Sequence, residues 1–321
     1  MIGWLSSFLL LLVPGAAAAP SPAPSAMPQG RFVAWPHDGS IQRVTVAGLT
    51  LVNTSRACTA RDSTDADPGH CWVAGVRIER PGAAPLSLEG PAGMLGRIAA
   101  GATTRGGAPT VILSTFTGGA HCCEVYDVAI ATAGRWQTTR LTWRAPGSGA
   151  WGEPQTRFDG GLARFPRDID GDGVADFVLS DDRFAYAFGS YAGSAPPPIV
   201  LNWTDGRWVD VSPRPSFAAL YRRDAATRRT GCLDPTTFER AGVCAGWAAD
   251  AARLGTLEQV WPVVVAHGGH DQGTAGWSFR DCGGRFSPVP CPAGGGTAYP
   301  TYPGALRAFL TAAAYLPQRL R

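Results

Sequence analysis

Nine consecutive residues, Asp168-Ile169-Asp170-Gly171-Asp172-Gly173-Val174-Ala175-Asp176, set four carboxylates in one short stretch. Two glycines in three positions break a helix and supply a sharp turn. Four aspartates at this spacing repel one another severely unless a cation sits among them. Asp168, Asp170 and Asp172, at positions 1, 3 and 5, can wrap their carboxylates around one point. Val174 offers its backbone carbonyl, and Asp176 adds a carboxylate directly or through water. An all-oxygen set of this kind suits calcium, a hard cation that takes about six to eight oxygens. The predicted metal ligands are therefore Asp168, Asp170, Asp172, Val174 and Asp176, set against an Asp-Gly surface turn that holds no ion. An EF-hand would also need a bidentate Glu at position 12 and flanking helices. Leu179 stands at position 12, Pro166 lies two residues before the loop, and Phe177-Val178-Leu179 is strand-like. The loop therefore predicts strand, turn, strand.

The N-terminus predicts export. Leu5 to Val13 is an apolar run ended by Pro14 and Gly15, and Ala16 to Ala19 offers an A-x-A-like cleavage site. The run is shorter than the ~20 residues a membrane span needs. Residues 1–19 are thus expected to be a signal peptide, and 20–30 a Pro-rich leader. The predicted location is periplasmic or extracellular, with no membrane span. In an oxidising compartment the eight cysteines favour disulfides. Spacing suggests Cys58 with Cys71, Cys232 with Cys244, and Cys282 with Cys291, although eight cysteines allow 105 pairings. Cys122 and Cys123 remain. They could bond each other, pair with distant partners, or stay reduced.

Residues 31–215 read as a β-rich calcium-binding domain. Val44 and Val46, Leu49 and Leu51, and Val76 and Ile78 have period two, with turn residues between. Val111 to Phe116 is a short buried-looking strand. Tyr126, Val128 and Ile130 share one strand face, and Phe184, Tyr186 and Phe188 show the same alternation. Ala133-Gly134 and Asp205-Gly206 each precede Arg-Trp and predict hairpins. A weak internal duplication could underlie the two Gly-Arg-Trp segments. Residues 216–321 change to helical spacing: Phe217, Leu220, Tyr221; then Asp234-Pro235 as a helix start, followed by Phe238, Ala241, Ala248, Ala251 and Leu254, with Gly255 as a stop. Leu257 to Ala266 and Leu306 to Ala313 are further helices. The expected fold class is α+β and β-rich. An antiparallel β body, partly propeller-like or sandwich-like, precedes a disulfide-stapled helical C-terminal region.

The aspartate loop resembles the D-x-D-G-D-G-x-x-D loop of FG-GAP repeats in integrin-type propellers, and the related loops of dockerins. Thr117-Gly118-Gly119-Ala120-His121-Cys122-Cys123, the aspartate loop, the segment Ser180 to Phe188 and Ser194-Ala195-Pro196-Pro197-Pro198 together resemble a group of exported bacterial proteins of unassigned function. That resemblance spans about Val111 to Val211. It implies calcium and export, and no activity. One full loop is too few for a complete propeller.

All 28 basic residues are arginine, which excludes mechanisms that need a lysine. A formal net charge of +3 without charged blocks makes nucleic acid a poor partner. His121 beside two cysteines is a catalytic candidate, set against a tight turn anchored by a disulfide. His267-Gly268-Gly269-His270-Asp271 could hold a metal, set against an ordinary loop. Asp181-Asp182-Arg183 is an acidic ligand edge, a support for the loop, or an exposed turn. Eleven tryptophans suit sugar stacking if exposed and the core if buried. The expected function is a calcium-binding, disulfide-stabilised binding or structural protein whose partner is a glycan or an envelope component. The alternative is a secreted hydrolase using His121 with Asp127, Glu124 or Asp181.

Overall fold

The computed structural model describes residues 24–36, 40, 42–62, 71–103, 107, 109–119, 123–132, 135–146, 154–269, 279–282, 286–287, 291 and 295–317. The expected signal segment, His121, Cys122, Trp151, His270 and Asp271 lie outside these. Eleven strands come first: β1 (Ser25–Ala26), β2 (Val33–Trp35), β3 (Arg43–Val46), β4 (Leu49–Asn53), β5 (Arg56–Ala57), β6 (Trp72–Glu79), β7 (Leu86–Gly93), β8 (Leu95–Ala102), β9 (Pro109–Phe116), β10 (Glu124–Thr132) and β11 (Arg135–Arg140). They form two sheets. One has the order β1-β3-β4-β6-β5, with β7 also on β6; the other runs β11-β10-β9-β8-β2. All pairings are antiparallel except β1 with β3.

Period-two burial explains why the second sheet lies in the middle. Val111 and Leu113 of β9, with Ile98 and Ala100 of β8, pack against Val44, Leu51, Val76 and Ile78 of the first sheet. The opposite face presents Ile112, Tyr126 and Val128 to a third layer. A strand covered on both sides should be apolar or small throughout, and Thr110 to Thr115 of β9 are all buried. The third layer is a three-stranded sheet of β12 (Asp176–Ser180), β13 (Pro198–Thr204) and β14 (Arg207–Asp210), in that order. Phe177, Leu179, Ile199 and Leu201 face the middle sheet. Val200 and Val211 face the other way, onto Phe217 and Tyr221.

The fourth layer is helical: α1 (Ala218–Leu233), α2 (Arg240–Arg253) and α3 (Leu257–Gly268). A small sheet of β15 (Phe279–Asp281), β16 (Phe286–Ser287) and β17 (Thr297–Tyr299) follows, and then α4 (Tyr302–Ala312). Helix α2 is alanine- and glycine-rich because it packs very closely. A Cβ at Gly242 would lie 2.1 Å from the Gly193 carbonyl oxygen. Disulfides join Cys58 to Cys71, Cys232 to Cys244 and Cys282 to Cys291, as spacing suggests. Cys123 is also disulfide-bonded. The chain is thus a β-rich body of antiparallel sheets followed by disulfide-stapled helices, with sandwich-like layering.

Two local expectations fail. Phe184, Tyr186 and Phe188 are not a strand. Asp181 caps a 3-10 turn over Asp182–Phe184, and Tyr186 has φ 59°. The shared face fails with it: Phe184 and Phe188 bury their rings against Phe309 of α4 while Tyr186, between them, is exposed. Asp234-Pro235 does not start a helix. Asp234 ends α1, its side chain accepts from Thr236 N at 2.8 Å, and α2 begins only at Arg240. Phe238 lies in the intervening turn and is exposed.

Candidate metal centre

The aspartate loop connects an isolated bridge, in which Asp176 N donates to Arg167 O at 2.9 Å, to strand β12. Gly171 and Gly173 have φ 82° and 85°, the left-handed region that favours glycine. They let the backbone curl so that its amides face inward onto carboxylates. Asp168 accepts from Gly171 N at 2.7 Å and from Gly173 N at 3.0 Å. Asp170 Oδ1 accepts from Asp172 N at 3.2 Å, and Asp172 Oδ1 from Val174 N at 2.8 Å. Asp176 is buried at the strand start. Its Oδ2 accepts from Ile169 N at 2.6 Å and its Oδ1 from Asn202 Nδ2 of β13 at 2.7 Å.

One carboxylate oxygen from each of Asp168, Asp170 and Asp176 lies within 4.8 Å of the others. Asp172 stands apart from that trio and pairs with Arg214 Nη1 at 2.9 Å. Ser216 Oγ donates to Asp170 Oδ2 at 2.8 Å. Arg214 and Ser216 belong to the segment entering α1, so the loop also ties the third sheet to the helices. Among the described residues, no arginine pairs with Asp168, Asp170 or Asp176. Burial raises the Asp176 carboxyl above its ordinary value, and the neighbouring Asp170 and Asp172 charges add to the rise. Three converging carboxylates without a counter-cation are what a bound metal would neutralise. Among the described residues the converging donors are oxygens alone, the set that calcium or magnesium prefers. Arg214, Ser216 and Asn202 escaped the sequence reading because they lie dozens of positions downstream with no motif of their own.

The remaining candidates are spread over the molecule. His267 lies in the last turn of α3. Asp127 pairs with Arg140 at 3.0 Å, Glu124 with Arg97, and Asp181 with Arg183 at 2.6 Å. Each carboxylate considered alongside His121 therefore already holds a guanidinium. Asp181 is fully buried; its oxygens accept from Arg183 Nε, Nη2 and backbone N, and from Tyr315 Oη at 2.9 Å. Asp182 accepts from Asp159 N at 2.9 Å and Gln155 Nε2 at 2.8 Å. Burial first, and then the Asp159 and Asp181 charges, push its carboxyl up to about 7. Asp181-Asp182-Arg183 is thus an internal support. Trp35, Trp143 and Trp247 are buried, and no described tryptophan is among the exposed large side chains.

Comparison with known proteins adds partial matches. Residues 221–314 match the family model described as the sll0997 C-terminal domain. A probable thylakoid lumen protein, sll0997, from Synechocystis sp. is 30% identical over 210 residues, covering 65% of this chain and 57% of that protein. The uncharacterized protein y4bJ of Sinorhizobium fredii is 28% identical over 209 residues, 65% of this chain and 30% of that protein. The chain therefore spans between about a third and just over half of these relatives' lengths. A solved Xanthomonas type IV secretion system related protein aligns over 58% of the chain at 11% identity, with a TM-score of 0.14.

Proposed function

We propose that this chain is an exported binding protein whose third sheet and helical region are held in register by one calcium ion. The observation that carries the proposal is the convergence of Asp168, Asp170 and Asp176 without any guanidinium partner among the described residues. These three would hold the ion, with the Val174 carbonyl and Asp172 completing the shell once Asp172 leaves Arg214. The ion supplies charge neutralisation and a fixed turn. The residues around it contribute rigidity, because Asp176 opens β12, and Ser216 and Arg214 reach the same loop from the helical side. Export is supported by the N-terminal apolar run, by the disulfides and by a relative described as a thylakoid lumen protein. Similarity to loops of FG-GAP repeats supports calcium over magnesium.

The test is thermal unfolding of the wild type and of Asp170→Ala, each in EDTA and in calcium. At calcium about a hundredfold over its dissociation constant, binding stabilises the wild type by about 2.7 kcal/mol. Asp170→Ala should lose most of that increment. An equal melt of both proteins in saturating calcium would defeat the proposal.

A further inference from the structure

On the side of the metal loop formed by Arg167, a cavity of about 480 Å³ opens between the segment before β2, strand β8 and the loop ahead of Asp168. Four of its eight lining residues are arginines: Arg31, Arg97, Arg164 and Arg167. Arg97 is committed to Glu124, and its guanidinium lies 5.2 Å from the centre of the Phe32 ring. Arg31, Arg164 and Arg167 are exposed, and no carboxylate among the described residues pairs with them. Three guanidinium groups without a carboxylate partner among the described residues make this concavity positive, and an anionic ligand would neutralise it. Guanidinium forks match carboxylate and phosphate oxygens two by two. Phe32 and Phe165 add ring surface to the same walls. Phe165 is fixed by its packing on the core of the third layer, and Gly30 approaches it closely: a Cβ there would sit 3.7 Å from the ring.

We propose that this cavity binds an acidic saccharide. Its carboxylate or phosphate groups would sit on Arg31, Arg164 and Arg167, with a sugar ring against Phe32 and Phe165. The inference deepens the binding-protein half of the proposed function and rests on it. Its link to the metal is physical. Arg167 precedes Asp168, and its carbonyl accepts from Asp176 N, so an ordered loop fixes one wall of the cavity.

The experiment is calorimetric titration of the exported chain with trigalacturonate and with fructose 1,6-bisphosphate. Galactotriose and inorganic phosphate serve as controls, in calcium and in EDTA. One of the two acidic saccharides should bind and galactotriose should not; which one binds identifies the anionic group. Arg164→Ala and Arg167→Ala should each weaken binding about tenfold. Arg207→Ala, an exposed charge on the β13–β14 hairpin outside the cavity, should leave it unchanged. Arg31→Ala, on a separate segment, gives the same readout should either loop variant unfold. No binding of either acidic saccharide, equal binding of inorganic phosphate, or indifference to the arginine substitutions would overturn the proposal. Saccharide binding in a chain that takes up no calcium would refute the metal assignment and leave the cavity assignment standing. Calcium uptake without saccharide binding would do the reverse.

Discussion

Replacing Arg183 with Met should be among the most damaging single changes to this fold. The Arg183 side chain is 4% exposed and faces an Asp181 side chain that is 0% exposed. The guanidinium donates from Nε at 2.7 Å and Nη2 at 2.6 Å, while Nη1 reaches the Pro146 carbonyl at 2.7 Å. It also lies 4.9 Å from the centre of the Trp143 ring. Arg183→Met keeps the aliphatic volume but leaves a buried carboxylate with only the Tyr315 hydroxyl and one backbone amide. Removing one partner of a buried pair costs about 3–5 kcal/mol, chiefly because the other charge is stranded. With a urea slope of about 2–3 kcal/mol/M, the midpoint should fall by about 1–2.5 M. Far-ultraviolet circular dichroism and tryptophan fluorescence, followed together, check that both probes report one transition. The double variant Asp181→Leu/Arg183→Met should recover about 2 kcal/mol or more of the loss, since no charge is stranded. A loss below about 1 kcal/mol for Arg183→Met, or strict additivity in the double variant, would refute this reasoning.

Three further outcomes follow from the same packing. The Asp182 carboxyl is raised to about 7 in the fold, so the native state prefers it protonated. Its ionisation costs stability progressively as pH rises from its unfolded value near 4 to about 7 and costs a constant amount above that; Asp182→Asn should therefore stabilise by about 1–3 kcal/mol at pH 8 and by much less at pH 4, as paired urea melts would reveal. Opening the Cys232–Cys244 bridge, with sequence separation 12, by Cys232→Ala/Cys244→Ala should cost about 3 kcal/mol in chemical denaturation; a change under about 1 kcal/mol would contradict the assigned contribution. Gly242→Ala should destabilise despite alanine's better helix propensity, by about 1–3 kcal/mol, because its Cβ meets the Gly193 carbonyl at 2.1 Å; a raised melting temperature would be incompatible with that contact.

Local chemistry carried much of the architecture into the sequence. Ala47 and Gly48, like Asp205 and Gly206, have the positive φ values of tight hairpin turns, and the paired valines and leucines around the first turn alternate as a half-buried strand must. The disulfides close short loops, so spacing sufficed for three of them. The segment from Phe184 to Phe188 misled because aromatic residues at every second position imitate a strand, although only Phe184 and Phe188 are buried and Tyr186 is exposed. Asp234-Pro235 misled because an aspartate capping its own turn and a proline beyond a helix end use the same residue types as a helix start. The aspartate loop was legible because its four carboxylates lie within nine residues. The arginine cavity was not, because Arg31, Arg97, Arg164 and Arg167 come from separate segments that only the layered sheets bring together.

Calorimetric titration of the purified chain with calcium, starting from EDTA-treated protein, tests the proposed metal site most directly. One ion per chain should bind, with a dissociation constant between about micromolar and millimolar, and Asp168→Ala should abolish the heat. Absence of any calcium heat in the wild type, or a heat that Asp168→Ala leaves intact, would contradict a cation held by Asp168, Asp170 and Asp176.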